Sequence, residues 1–170
     1  NTGVFVYQSF ILESKNWGDF VIAKSFMFYA IFSVGTLFIA GPVVDKFTSR
    51  KILPLMNIPS LFAMAILFYF DNYISSYFLL GLMGISNGLA NVLGSSTWAE
   101  IYGVKHIGSI KALTAAMMVF STALGTAIFG VIIDFGYSIE IIALLSFSYI
   151  ITANILIVIF KRKIQPVLIK

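Results

Sequence analysis

Cysteine is absent from the 170 residues, histidine occurs once, and charged residues make up only 11% of the chain. The first absence excludes disulfides and thiolate metal sites, and leaves the redox compartment unread. A lone His106, with no His/Asp/Glu cluster at ligand spacing, gives no reason to expect a metal, and no cofactor is expected either. The shortage of charge excludes an ordinary soluble domain. Soluble chains are about 25% charged and about 45–50% apolar, whereas 59% of this chain is hydrophobic and the mean hydropathy is +0.98. Lipid is therefore its solvent. The 11 Lys and Arg against 7 Asp and Glu might suggest nucleic acid. Instead they sit in short clusters between apolar runs, with no basic face or recognition motif, and nucleic acid is excluded as a partner.

A bilayer core of about 30 Å takes about 20 apolar residues per helix. Residues 20–42, 52–70, 77–98, 109–133 and 139–160 each meet that length. Residues 1–12 are apolar but too short to span, and read as the end of a helix whose beginning is missing. No basic segment precedes them and no small-residue cleavage site follows, so they are not a secretory signal. The expected fold is an all-α polytopic membrane bundle with a tail over 161–170. Alternating the spans puts Lys46, Arg50, Lys51, Lys105, Lys111, Lys161, Arg162, Lys163 and Lys170 on one side. That side, with the C-terminus, is expected to be cytoplasmic. Only Lys15 and Lys24 fall on the other, and Lys24 lies close enough to its boundary to snorkel or to pair with Asp19 or Glu13.

Helical spacing sorts the polar residues onto faces. Ser25, Tyr29, Ser33 and Thr36 form one stripe on 20–42. Gly84, Asn87, Gly88, Asn91, Ser95 and Trp98 form a second on 77–98, and Thr114, Met118, Ser121 and Gly125 a third on 109–133. Spans 52–70 and 139–160 are nearly bare, with Asn57, Ser60 and Asn154 as their main polar groups. Amides in mid-membrane are costly without partners. Asn87 and Asn91 either glue their helix to a neighbour or meet a polar solute. Gln8, Tyr29, Ser33, Thr114 and Ser121 join them as candidate solute contacts, with interhelical packing as the plainer role. Gly84 and Gly88 form a GxxxG, which permits close backbone approach inside the bundle.

The stretch Gly41-Pro42-Val43-Val44-Asp45-Lys46-Phe47-Thr48-Ser49-Arg50-Lys51 reads as a short loop between two spans. It resembles the cytoplasmic signature loop of major facilitator superfamily transporters: Gly, three residues, Asp, Arg/Lys, any residue, Gly, Arg, Arg/Lys. Gly41, Asp45, Lys46 and Arg50 match; Thr48 stands where that pattern has Gly, and Ser49 where it has a base. The segment from Trp98 through Glu100 and Lys105 to Ile110, with Gly125 and Gly130–Gly136, is similar to the monocarboxylate and oxalate/formate branch of bacterial members. The resemblance implies helices seven to twelve, a C-terminal six-helix half with its first helix truncated. It implies a secondary transporter in the bacterial inner membrane, with small solute, lipid and a missing N-terminal half as partners. The branch also carries central bases that are lacking here over 33–40 and 114–125. This half therefore offers no salt bridge to an organic acid. Gly41 is expected to let the second and fifth spans approach. Asp45 and Arg50 are expected to latch onto Glu100 when the inner side is closed, with Lys46 as the motif's base.

Enzymatic signals do not hold up. Gly84-Ile85-Ser86-Asn87-Gly88 matches the G-x-S-x-G pattern, which needs a strand-to-helix turn and a histidine in reach. His106 is about 30 Å away along a helix rising about 1.5 Å per residue. No catalytic residue is expected. A non-transporting membrane scaffold is the rival class, since it would need neither polar stripes nor a gate.

Overall fold

The computed structural model describes residues 2–160; the tail 161–170 lies outside the described residues. The architecture is all-α, with no strand among the described residues. Two short helices open the chain, α1 (Thr2–Val6) and α2 (Gln8–Ser14), then α3 (Asp19–Phe47), α4 (Ser49–Ile52), α5 (Ile58–Tyr69), α6 (Ile74–Tyr102), α7 (Ile107–Asp134) and α8 (Ile139–Phe160). By length and composition five segments can cross a membrane: Phe20–Phe47, Ser49–Tyr69, Ile74–Tyr102, Ile107–Asp134 and Ile139–Phe160.

The stretch expected as a loop over 41–51 is mostly helix. α3 runs through Pro42 to Phe47, because the apolar residues on both sides stay in register and membrane helices re-satisfy backbone groups freed by proline. The chain turns at a single residue, Thr48, whose φ of 67° and ψ of 143° are unusual for a β-branched side chain. The next span, by contrast, is interrupted. A 3-10 turn at Leu53–Leu55 separates α4 from α5. Pro54 and Pro59 explain the break, since each removes an N–H donor and crowds the carbonyl four residues back. The Met56 carbonyl freed there accepts a hydrogen bond from Ser86 Oγ of α6 at 2.5 Å. Asn57 Nδ2 donates across to Asn154 Oδ1 of α8 at 3.5 Å. α6 stops at Gly103, whose φ of 73° suits a residue without Cβ.

The α3–α6 pair is the spine of the bundle, α5 packs on α6 and α8, and α7 touches only α1 and α6 closely. No residue of α7 is buried. The buried apolar cluster is Val4, Ile11, Trp17, Ala63, Met64, Leu67, Leu79, Leu80, Met83, Ile139, Ile142 and Ala143. These lie on α1 and α2, in the α2–α3 connection (Trp17), on α5, early in α6 and at the start of α8, so the core gathers at one end of the bundle. We call this the Lys15 end and the opposite one the Glu100 end.

Candidate functional site

The polar stripes of α3 and α6 meet face to face along a seam. A Cβ at Gly84 would lie 2.4 Å from the Tyr29 carbonyl oxygen, and one at Gly88 would lie 2.7 Å from that of Ser33. The paired glycines thus bring two backbones together inside the bundle. At this level Asn87 Nδ2 donates to Ser33 Oγ at 3.2 Å, with Ser33 buried and Asn87 half-buried. Nearer the Lys15 end, Ser25 Oγ and Ser76 Oγ lie 2.8 Å apart. Tyr29 is half-buried, with its ring edge-on to Phe5 at 5.1 Å. One turn beyond Asn87, Asn91 is exposed. Its Nδ2 donates to the Asn87 backbone carbonyl at 3.0 Å, and its side-chain carbonyl accepts no hydrogen bond among the described residues.

The remaining candidates lie off this seam. Gln8 Oε1 is buried without a hydrogen-bond partner among the described residues. It faces a small cavity lined by Val4, Phe5, Trp17, Phe26, Ser76 and Leu80. Thr114 Oγ1 bonds its own helix at the Ile110 carbonyl, 3.0 Å away, and Ser121 is exposed on α7. Asn87, Ser33 and Tyr29 are brought together; Gln8, Thr114 and Ser121 are not.

At the Glu100 end, one carboxylate receives two groups. The Ser49 backbone N–H donates to Glu100 Oε1 at 2.8 Å, and Arg50 Nε lies 3.7 Å from Glu100 Oε2. Glu100 therefore sits on the N–H groups that begin α4, where an anion is favoured, and pairs with a guanidinium one residue on. Two residues expected to act at this end stand apart from that contact. Asp45 is exposed and makes no ion pair among the described residues. It belongs to the last turns of α3, so the Thr48 elbow, rather than a loop, separates it from Arg50. Gly41 has no atom within 4 Å of a Cβ, because α7 does not come near α3 there. Lys46 is exposed, with its ammonium 5.6 Å from the Phe47 ring centroid.

The Lys15 end holds a cluster that sequence reasoning missed. Lys15 Nζ donates to Asp71 Oδ1 at 2.5 Å and to Glu140 Oε1 at 2.9 Å, and Trp17 Nε1 donates to the Asp71 carbonyl at 2.7 Å. The lysine side chain is 1% exposed. Burial alone pulls its pKa down. The hydrogen bonds to Asp71 and Glu140, with their charges, outweigh that and hold it above the ordinary lysine value. The only signal in sequence was that Lys15 falls on the side opposite most of the bases. Spacing could not join residues 56 and 125 positions apart. Lys24, the other base of that side, is exposed and forms no ion pair among the described residues.

Comparison with known proteins gives one positive result. The family model described as Major Facilitator Superfamily matches residues 1–168. No curated protein and no solved structure matches the chain.

Proposed function

We propose that this chain, which belongs to the Major Facilitator Superfamily, is the C-terminal half of a secondary transporter that moves a small solute by alternating access. In a superfamily whose solute binds near the midplane between two halves, α3 and α6 supply part of this half's wall. The proposed solute contacts are Asn87, Asn91, Ser33 and Tyr29. The Glu100 end is cytoplasmic in this reading, because Lys46, Lys51, Lys105 and Lys111 lie there. The Glu100–Arg50–Ser49 contact closes that end and breaks when it opens. The assignment to the monocarboxylate and oxalate/formate branch rests on the motif resemblance alone. Any carboxylate substrate takes its counter-charge from elsewhere.

Asn91 carries the reading. An exposed amide in mid-span, with an unengaged carbonyl oxygen beside the Asn87–Ser33 bond, has no structural task that would explain its cost in lipid. Its replacement by Leu in the full-length protein tests the reading, with solute affinity in reconstituted vesicles measured beside thermal stability. Weaker affinity at an unchanged melting temperature supports a solute contact. Normal affinity with a lowered melting temperature makes Asn91 a packing residue and removes this support.

A further inference from the structure

We propose that the Lys15 end is the fixed pivot of this half: one buried ammonium pins three interhelical connections together, and internal movement is confined to the Glu100 end. Lys15 lies in the turn between α2 and α3, Asp71 in the turn between α5 and α6, and Glu140 in the first turn of α8. A single Nζ bonds both acids, so separating any two of these connections breaks a charge-assisted hydrogen bond to a buried cation. Leaving that cation unpaired is the expensive outcome, and each acid secures one arm of the pin. The Trp17 indole adds a second tie from the first connection to the Asp71 backbone. Tyr7 Oη donates to the Thr126 carbonyl at 3.2 Å and holds α7 to α1 near the same end. Beneath these ties lies the buried apolar cluster.

Among the described residues, the opposite end has no buried charge shared by three helical segments. Its interhelical ionic contact among the described residues is Glu100 with Ser49 and Arg50, between α6 and the short α4. Behind α4 lies the proline-broken stretch 53–57, where helical hydrogen bonding is interrupted and single neutral hydrogen bonds from Ser86 and to Asn154 are the ties to α6 and α8 among the described residues. The first half of α7 is exposed throughout apart from a few half-covered positions. One end is therefore built to stay together and the other to give. The inference rests on this asymmetry and does not depend on what is transported.

These 170 residues contain no cysteine, so paired labels can be placed at chosen sites in the full-length protein once any cysteine outside them is replaced. Nitroxides on cysteines at Ser14, Tyr73 and Tyr137, all exposed, report the three connections. A pair at Phe47 and Lys105 reports the other end. Pulsed electron-spin distances should be narrow for 14–73 and 14–137 and broader for 47–105. Lys15→Met should lose the narrow distribution in both of the first two pairs. Asp71→Asn should lose it only for 14–73, and Glu140→Gln only for 14–137; these two variants carry the test if Lys15→Met fails to fold. Unchanged distributions in all three variants would overturn the proposal. So would a single-arm variant that broadens every pair alike, because general loosening is not the release of a pin.

Discussion

Gly84 is where the α3–α6 seam is most exacting, and replacing it with alanine has a calculable result. The new Cβ would lie 2.4 Å from the Tyr29 carbonyl oxygen, whereas the closest comfortable C···O contact is about 3.3 Å. The helices must part locally by about 0.9 Å to restore that contact. A radial gap of about that size forfeits a quarter to a half of each dispersion contact it opens. The Asn87–Ser33 bond, now 3.2 Å, would lengthen to about 4 Å and cease to be one. Overpacking of this kind costs about 1–3 kcal/mol, and the lost bond adds about 0.6 kcal/mol. Better helix propensity returns about 1 kcal/mol. The expected net loss is about 0.6–2.6 kcal/mol. Gly94 is the internal control: it lies on the same helix with no atom within 4 Å of a Cβ, so Gly94→Ala should be neutral or stabilising. The assay is thermal unfolding of the full-length protein in detergent, comparing the two variants with the parent. A Gly84→Ala protein that melts at or above Gly94→Ala would refute the close approach and the seam with it.

Three further outcomes follow from geometry elsewhere. Thr48→Gly should stabilise the protein by about 1 kcal/mol, since strain of about 1–3 kcal/mol at this backbone conformation exceeds glycine's entropic cost; a lowered melting temperature would show the elbow is unstrained. Glu100→Gln and Arg50→Gln should each destabilise, with a double-mutant interaction of at least about 0.5 kcal/mol; fully additive melting shifts would mean the 3.7 Å pair is idle. Lys15 has a pKa raised on folding, so its contribution is complete below the unfolded value of about 10.4 and is lost as pH rises through the higher folded value. The melting-temperature gap between parent and Lys15→Met should therefore hold from neutral pH to about pH 10 and shrink above it; a gap that closes near neutral pH would contradict the assignment.

The long helices were legible in sequence because lipid leaves few alternatives for a run of apolar residues. The faces of α3 and α6 were legible too, since Gly84, Gly88 and Asn87 repeat at helical spacing and Ser33 lies on the matching stripe of α3. Two kinds of feature were not. Helix ends were misjudged where motif composition suggested a loop: Asp45 and Lys46 look like loop residues, yet the helix carries them past Pro42 to Phe47. Long-range pairing was invisible for a different reason. Lys15, Asp71 and Glu140 lie far apart in the sequence, and only the packed bundle brings them within hydrogen-bond reach. The break over 53–57 was signalled by Pro54 and Pro59, but hydropathy averaged over the segment concealed it.

The seam also bears on biosynthesis. α3 emerges well before α6 is made, so its polar stripe must wait for that partner. Its hydroxyls are equipped for that interval. Ser25 Oγ bonds the Val21 carbonyl at 2.7 Å and Thr36 Oγ1 bonds the Phe32 carbonyl at 2.6 Å, both within α3 itself. Asn91 on α6 likewise uses its own helix, at the Asn87 carbonyl. Asn87 reaches across to Ser33, and Ser76 reaches across to Ser25. Both cross-seam bonds thus form only when the later helix arrives: Ser25 meets it already bonded to its own helix, whereas Ser33 gains its partner in Asn87.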